Sequence, residues 1–509
     1  GNPQNRGARI DGFSIVGAST GGGIVVNGYA EYLEIGNNRI TGNAGACGGG
    51  IRVGHPQLIT QQGNTDIYTD AENDFIRVHH NHIARNGGRG GAGGGLSLHT
   101  GADEYAVEQN WICGNFSSGS GAGIGHLGLS DNGVIADNTI LFNESFAQAN
   151  ATSGGGIFIA GQTGLVTDNA GLLLSPGSGS VTVDSNVIRG NLAGAGDGGG
   201  IQLLSVNGED ATGNNCNSCY SVDIVNNMIN NNVAGLAGGG IAMQDAILVS
   251  IRNNTVAHNE TTATTALAFA PGVFNESNPR PDGIVARAHS TDFALARAEL
   301  FEGPVISDSI IEHNRSFFWL NYDDPLTPAI ETGLFPATCP VDINGQPGTG
   351  PDCDVTDVGY DPADHSADLA VMDGPFTVAD PVLVGELDPQ FSLLTDNADN
   401  AAYIGVNGNV TGDPGFVNGY FNGGLGNLDI TEFTTLSTAG AFDEGGNFIQ
   451  VAFSPLSLVD SANGDLLDYH VGAGSEINAC NPANALIVDI DDDLRPQGAC
   501  FDIGADEAQ

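Results

Sequence analysis

Residues Gly238–Asn259 read GGGIAMQDAILVSIRNNTVAHN and contain one complete unit of a repeating pattern. A glycine corner leads into a short apolar segment at Ile241, a bend follows at Gln244, a second apolar segment ends at Ile251, and a third short segment ends at Asn259. Each predicted strand is only a few residues long and cannot bury an apolar face by itself. Such a unit needs copies of itself above and below, as in a solenoid.

The copies are present along the chain. Pairs of polar residues five positions apart recur, the last one degenerate, as Asn38/Asn43, Asn81/Asn86, Asn110/Asn115, Asn138/Asn143, Asn186/Asn191, Asn227/Asn232, Asn254/Asn259 and Ser309/Asn314. The glycine corner recurs immediately before Ile24, Ile51, Leu96, Ile124, Ile157, Ile201 and Ile241. Where neighbouring copies carry no insertion, as from 81 to 110 and from 227 to 254, the period is 27 to 29 residues.

This period predicts three short strands per turn and therefore three parallel sheets around one core, with successive turns about 4.8 Å apart. Equivalent residues then lie directly above one another. Asparagine suits the predicted corners because it tolerates the left-handed backbone conformation and because stacked side-chain amides hydrogen-bond along a ladder. Glycine suits the other corner, where a sharp bend leaves no room for a Cβ atom.

The repeats at 32–43 (YLEIGNNRITGN) and 222–241 (VDIVNNMINNNVAGLAGGGI) resemble those of right-handed parallel β-helix proteins of the pectate-lyase-like superfamily, secreted bacterial type. The segments 464–480 and 489–507 are similar to the end of many secreted bacterial β-helix proteins. The resemblance implies an all-β, right-handed parallel β-helix. It leaves function open, because this superfamily contains lyases, hydrolases, adhesins and structural solenoids.

We therefore expect a three-sheet solenoid with long loop insertions and an irregular C-terminal third. Residues 1–316 are predicted to form regular coils, residues 317–406 a loop-rich insertion with irregular coils, and residues 407–509 further coils and a terminal segment. In the insertion at 260–305, Ser290 and Thr291 precede a segment, Asp292–Phe301, that is typical of a short capped helix.

The charge of the chain is strongly negative. It has 14 basic residues, all of them arginine, against 60 acidic ones, and its net charge is −46. Such a surface repels nucleic acid, acidic glycans and anionic membranes, and it attracts cations such as calcium. The simpler interpretation is solubility in salty surroundings. No apolar segment is long enough to cross a membrane, so direct membrane insertion is not expected.

The eight cysteines favour an oxidising compartment, and we expect an extracellular or cell-surface protein. The expected disulfides join Cys216 to Cys219, Cys339 to Cys353 and Cys480 to Cys500, with Cys47 and Cys113 as a fourth pair. The alternative for Cys216 and Cys219 is half of a metal site, although the sequence has no second pair at zinc spacing.

If the chain is an enzyme, its candidate residues lie near its main basic cluster. A lyase of the resembling type needs calcium-binding carboxylates beside an arginine or lysine base. The chain places Arg85, His80 and Asp74 close together in sequence, and these are the candidates. The alternative is that they lie on an outward, solvated face. A glycoside hydrolase needs two facing carboxylates, which the sequence does not single out among so many acids.

Two other groups of residues are metal candidates. Asp489, Asp491 and Asp493 alternate, so on a strand they would share one face and could hold calcium. In the resembling families a glycine often stands where this chain has Asp492. His258 and His313 both precede a predicted ladder asparagine or its equivalent, so they are expected to stack on adjacent coils. A shared metal there is less expected than an ordinary exposed stack.

Two classes of function remain from the sequence. The first is a non-catalytic extracellular solenoid with a structural or adhesive role, whose partners are itself, in a filament or surface layer, or cell-surface components such as glycans. Exposed strand edges at the ends of a solenoid favour such pairing. The second is a secreted polysaccharide lyase or glycoside hydrolase. The two tryptophans, Trp111 and Trp319, are few for a sugar-binding groove.

Overall fold

A computed structural model shows a parallel β-solenoid whose coils each contribute one strand to each of several stacked sheets. It describes residues 7–55, 59–62, 65–68, 70–147, 150–162, 171–212, 216, 218–273, 275–297, 304–323, 330–336, 368–372, 387–397, 400–419, 441–442, 448–449, 467–472, 486–496 and 501–507. No helix in these residues is long and apolar enough to span a membrane.

Four parallel sheets follow one another around each coil, and we name them A, B, C and D in chain order. Sheet A contains β1 (Arg9–Asp11), β4 (Glu34–Gly36), β10 (Arg77–His79), β14 (Ala106–Glu108), β18 (Gly133–Ala136), β22 (Val181–Asp184), β26 (Val222–Val225), β30 (Val249–Arg252), β34 (Val305–Ser307) and β39 (Asp388–Gln390). Sheet B contains β2 (Ser14–Val16), β5 (Arg39–Thr41), β11 (His82–Ala84), β15 (Trp111–Cys113), β19 (Thr139–Leu141), β23 (Val187–Arg189), β27 (Met228–Asn230), β31 (Thr255–Ala257), β35 (Ile310–Glu312) and β40 (Leu393–Leu394).

The other two sheets complete the coil. Sheet C contains β6 (Ala44–Gly45), β12 (Gly87–Gly88), β16 (Phe116–Ser117), β20 (Glu144–Ser145), β24 (Leu192–Ala193), β28 (Val233–Ala234), β32 (Glu260–Thr261) and β36 (Arg315–Asp323), to which β37 (Ile330–Pro336) adds antiparallel. Sheet D contains β3 (Ile24–Val26), β7 (Ile51–Val53), β13 (Leu96–His99), β17 (Ile124–Leu127), β21 (Ile157–Ala160), β25 (Ile201–Leu204), β29 (Ile241–Gln244), β33 (Ile284–Arg287) and β38 (Leu369–Met372).

The remaining elements are short. They are the antiparallel pairs β8 (Ile59–Gln62) with β9 (Thr65–Tyr68), β41 (Phe416–Asn418) with β44 (Asp468–Val471) and β42 (Ala441–Phe442) with β43 (Phe448–Ile449), the α-helix α1 (Thr291–Ala296), and 3₁₀ turns at Glu209–Ala211 and Ala266–Ala268. A helix is present after Ser290, as predicted, but it covers only Thr291–Ala296, and the Ser290 side chain makes no capping hydrogen bond.

The prediction of three sheets was wrong, because sheet C was not recognised. Most of its strands have only two residues, and β6 and β12 consist of alanine and glycine alone. Such strands carry no alternation of apolar and polar residues, which is the signal that reveals a half-buried strand in a sequence. Their partners on the neighbouring coils define them, as in the register of Gly87 with Ala44 and Phe116.

The interior is a continuous column of aliphatic side chains. Ile51, Leu96 and Ile124 are in register in sheet D, and each is fully buried. The same buried cluster extends from Ile24 to Leu394, so it runs the length of the described stack. Each such side chain contributes about 1.5–3 kcal/mol when removed from water. The coils are held together mainly by this column.

Two ladders of side-chain amides flank sheet B. Asn143 is representative: its Nδ2 donates to Asn191 Oδ1 at 2.9 Å and to Ile112 O at 3.0 Å, while its Oδ1 accepts from the backbone and side-chain N–H groups of Asn115. The degenerate copy keeps this pattern, because Ser309 and Asn314 accept hydrogen bonds from Asn254 and Asn259. Buried backbone groups at the corners are thereby satisfied.

At each corner beside sheet B, the residue with the left-handed backbone conformation is the one immediately before the ladder residue. His80 before Asn81 has a φ of 52°, and Arg85 before Asn86 has a φ of 55°. The left-handed conformation predicted for the asparagine corners thus falls one residue before the ladder asparagine, and that residue is itself asparagine only in some copies, such as Asn37 and Asn253. The amides of the ladder asparagines are used in bonding between coils.

The glycine corner is close-packed, as predicted. A Cβ atom on Gly200 would lie 2.6 Å from the carbonyl oxygen of Gly240 on the next coil and 3.1 Å from the amide nitrogen of Asn232. The last glycine of the triplet therefore lets successive coils approach each other.

Asn409 and Val410 continue sheet B beyond β40, whereas β44 and the described residues after it pack on the side of the solenoid. Tyr469 in β44 is fully buried, and its hydroxyl lies between His258 Nδ1, at 2.8 Å, and Asn231 Oδ1, at 2.9 Å. Further along, Ala505 N donates to Thr255 Oγ1. The end of the chain thus covers part of sheet B.

Candidate functional site

The three candidate catalytic residues occupy three different corners of one coil. Asp74 lies in the turn that leads from sheet D into sheet A. His80 lies at the corner between sheets A and B, and Arg85 at the corner between sheets B and C, with the three-residue strand β11 between them. His80 and Arg85 are exposed. The three residues thus lie at separate corners, and among the described residues no hydrogen bond or ion pair joins any two of them.

The neighbouring basic residues form cross-coil pairs on the outer face of sheet A. Arg77 contacts Glu108 at 2.8 Å, and His79 Nε2 contacts Glu34 at 2.8 Å. His79 Nδ1 also lies 3.0 Å from His80 Nδ1. Arg77 is exposed, and an exposed pair of this kind contributes at most about 1 kcal/mol, whereas His79 is buried. The geometry of both pairs is that of outward side chains paired with the next coil.

A stack of carboxylates follows the turn from sheet D to sheet A. Asp74 Oδ1 accepts the backbone N–H of Asp103 at 3.3 Å, Asp103 Oδ1 accepts that of Asp131 at 2.7 Å, and Asp131 Oδ1 accepts that of Ser180 at 2.8 Å. Asp70, Asp74 and Asp103, which we call the Asp70 cluster, each have a carboxylate oxygen within 4.8 Å of the other two. This cluster is suited to a metal ion.

Crowding of like charges is visible in the acid–base properties of the Asp70 cluster. Burial, followed by the charges of Asp70, Glu72 and Glu31, raises the pKa of Asp74. Burial also raises the pKa of Asp103, with further contributions from the neighbouring aspartates. Both carboxylates therefore ionise less readily than an isolated aspartate, and a cation would favour their charged form.

A small cavity adjoins the Asp70 cluster. It has a volume of about 120 Å³ and is lined by Asp70, Thr100, Gly101, Asp103, Leu129, Gln162 and Pro176. Glycine is required at Gly101, because its φ is 79° and a Cβ atom there would lie 2.5 Å from Asp70 Oδ1. Ligand sites for organic molecules are usually about 300–1,000 Å³, so this cavity fits an ion with a few waters.

Asp74 was predicted from the sequence, whereas Asp103 and the cavity were not. The signal was present, because Asp74, Asp103 and Asp131 are separated by 29 and 28 residues, which is the period of the ladder asparagines. Thr100 and Gln162 have no such signal, since they meet at the cavity only through the stacking of coils.

The predicted calcium residues Asp489, Asp491 and Asp493 lie in a turn closed by the bridge between Val488 and Leu494, not on a strand. Asp489 is buried, and its Oδ1 accepts the backbone N–H groups of Asp491 and Asp493, both at 2.9 Å. Its carboxylate thus orders the turn. The shared face expected from a strand does not form.

Asp491 instead belongs to a second carboxylate group with His470 and Asp506. His470 Nδ1 lies 2.5 Å from Asp468 Oδ1, and His470 Nε2 lies 3.1 Å from Asp491 Oδ2. Burial lowers the pKa of His470, but the hydrogen bond to Asp468 and the surrounding carboxylates outweigh it, so its pKa is raised. Both ring nitrogens already have carboxylate partners, which fits a charged histidine.

His258 and His313 do stack on adjacent coils, with ring centroids 5.7 Å apart. The stack is not openly exposed, because Tyr469 and Phe416 of the C-terminal segment pack against His258. His258 Nδ1 bonds to the Tyr469 hydroxyl, so this nitrogen anchors the segment.

One predicted disulfide is present and one is not. Cys216 and Cys219 are bonded, with their Cα atoms 4.8 Å apart. Cys47 and Cys113 are free thiols, so the fourth predicted pair was wrong. The reason is their placement, since Cys47 lies beside sheet C and Cys113 lies in sheet B.

The other four cysteines do not belong to the part of the chain that the structure describes. The predicted bond between Cys339 and Cys353 lies outside the described residues, and so does the predicted bond between Cys480 and Cys500. The structure therefore does not test whether Cys353 and Cys500 are disulfide partners, and both pairs stay predictions from the sequence.

Comparison of the chain with protein-family models, with curated proteins and with solved structures gives no match. The fold and the geometry above are therefore the basis for any functional conclusion.

Proposed function

We propose that this chain is a non-catalytic extracellular β-solenoid, of the right-handed secreted kind, with a structural or adhesive role. The observation that carries the proposal is the divergence of Asp74, His80 and Arg85 to three corners of one coil. A lyase or hydrolase needs its acid, base and charge-stabilising groups within hydrogen-bond reach of one substrate atom. Residues on separate corners of a rigid coil do not meet that requirement.

The use of the buried polar groups also supports a mechanical role. Ladder amides such as Asn143 and Asn232 bond coil to coil. Buried ion pairs do the same: Arg315 pairs with Glu260 across adjacent coils of sheet C, and Arg287 pairs with Asp197. These groups stabilise the stack and are not open to a substrate.

The surface and the cysteine pair suggest location and partners. A disulfide between Cys216 and Cys219 suits an oxidising, extracellular setting. With a net charge of −46, the surface favours partners that bind through cations or through neutral groups. We propose as partners other copies of the chain, in a filament or surface layer, and neutral cell-surface glycans.

The test combines imaging with a matched activity assay. Electron microscopy and solution scattering of the purified chain should show filaments, sheets or defined oligomers, and binding to cell-surface material should survive in the double variant His80→Asn, Arg85→Gly. These substitutions are conformationally matched, because other coils hold asparagine (Asn37) and glycine (Gly42) at the same left-handed corners.

The same variant separates the proposal from the enzymatic alternative. Wild type and double variant are incubated with uronate-containing and neutral polysaccharides, with and without calcium. We expect no saccharide release from either protein. Release by the wild type that disappears in the variant would overturn the proposal in favour of a polysaccharide lyase or glycoside hydrolase. Monomers that bind neither each other nor cell surfaces would also overturn it.

A further inference from the structure

We propose that the Asp70 cluster and the adjoining cavity form a calcium site that joins two successive coils. The site lies on the turn from sheet D to sheet A, and its three carboxylates come from two coils: Asp70 and Asp74 from one, Asp103 from the next. It is separate from the predicted calcium residues at 489–493. It also does not depend on the structural or adhesive role proposed above.

The spacing of the oxygen atoms suits calcium. Protein oxygens bind Ca²⁺ at about 2.3–2.6 Å, so two ligands of one ion lie at most about 5 Å apart. The carboxylate oxygens of the Asp70 cluster lie within 4.8 Å of one another, which meets this limit for all three pairs. The ladder bonds of Asp74 and Asp103 each use Oδ1, which leaves the Oδ2 atoms of these two residues for an ion.

An unpartnered polar group in the cavity wall points independently to a ligand. Gln162 Oε1 is buried from solvent and has no hydrogen-bond partner among the described residues. Thr100 is only 5 % exposed and lines the same cavity, so its hydroxyl oxygen is a further candidate ligand. A buried amide oxygen without a partner is unfavourable, so such an atom is normally satisfied by water or an ion.

Charge and size select the ion. The cavity of about 120 Å³ holds an ion and a few waters, and its wall carries the carboxylates of Asp70 and Asp103. Calcium accepts six to eight oxygen ligands in irregular geometry, and it combines carboxylates with amide, hydroxyl and water oxygens. Magnesium requires a near-ideal octahedron at shorter distance and keeps most of its waters. The mixed oxygen set here favours calcium.

The experiment is titration calorimetry of the full chain with CaCl₂, with MgCl₂ as the comparison. The test variant is the triple substitution Asp70→Asn, Asp74→Asn, Asp103→Asn. Asparagine keeps an Oδ1 acceptor for the turn and ladder bonds and removes the charge, as the ladder asparagines illustrate. The control is Asp131→Asn, which lies in the same carboxylate stack one coil further but outside the Asp70 cluster.

We expect the wild type and the Asp131→Asn variant to bind one more calcium ion than the triple variant. The single variant Asp103→Asn should weaken that site at least about tenfold, because ligand charge sets calcium affinity. Thr100→Val, which keeps the shape of the side chain, should also weaken it while leaving the calcium-free melting temperature within a few degrees of wild type.

Four results would overturn the inference. The first is equal calcium stoichiometry and affinity in wild type and triple variant. The second is an equal loss in Asp131→Asn, which would indicate general attraction of cations to an acidic surface. The third is equal affinity for magnesium. A triple variant that fails to fold without calcium would likewise contradict it, because removing three crowded charges should leave the calcium-free coil at least as stable.

Discussion

Replacing Asn143 by alanine tests the amide ladder at its centre. Asn143 is fully buried and takes part in four hydrogen bonds to three residues on the neighbouring coils: Ile112, Asn115 and Asn191. Alanine removes all four and leaves buried donors and acceptors without partners. At about 1 kcal/mol net for each bond, the free energy of unfolding should fall by about 4 kcal/mol, within a range of about 2–6.

The matched control is Asn132→Gly, in the same coil. Asn132 is exposed, lies outside the ladders and has a φ of 56°, so glycine fits its backbone without strain. Its free energy of unfolding should stay within about 0.5 kcal/mol of wild type. The assay is urea unfolding monitored by circular dichroism. The free energies of the three proteins are compared with one common m value, the slope of the unfolding free energy against urea concentration. A loss below about 1 kcal/mol for Asn143→Ala would refute the view that the ladder adds substantially to the stability of the stacked coils.

Three further outcomes are expected. Burial lowers the pKa of His99 to about 3, whereas His99 in the unfolded chain has a pKa near 6.5. The free energy of unfolding therefore keeps its full value above pH 6.5 and falls as the pH is lowered towards 3, with a loss of about 2 kcal/mol at pH 5. His99→Leu should remove this part of the pH dependence in urea titrations. Burial between Phe116 and Leu192 raises the pKa of Glu144 to about 7. Ionising this buried carboxyl destabilises the folded protein increasingly as the pH rises from 4.5 through 7. Glu144→Gln should therefore stabilise the protein by up to about 3 kcal/mol at pH 8 and leave its stability unchanged at pH 4. Tyr469→Ala should detach the C-terminal segment and make it susceptible to limited proteolysis. Tyr469→Phe loses only the hydroxyl hydrogen bonds, so it should weaken the attachment of the segment by about 1–3 kcal/mol and keep it docked. Equal cleavage of wild type and Tyr469→Ala would contradict this.

Much of the candidate site was within reach of sequence reasoning. The carboxylate stack at Asp74, Asp103 and Asp131 follows the same period as the ladder asparagines, so it could have been read from the sequence. The cavity could not. Gln162 lies on a later coil than Asp103, and an insertion separates it from the next strand of sheet A. Its position beside the carboxylates depends on the stacking of coils, and no residue at the repeat period marks it in the sequence.

The sequence by itself determined the solenoid, its interior column and its two ladders. These features repeat, and repetition at one period places equivalent residues such as Asn110 and Asn138 in contact whatever the details of the corners. Only the tertiary structure decided the fourth sheet, the residue that carries each left-handed bend, and the docking of Tyr469 on His258, 211 residues away. A two-residue strand and a single distant contact have no pattern along the chain, since each is defined only by the partner that stacking or packing brings beside it.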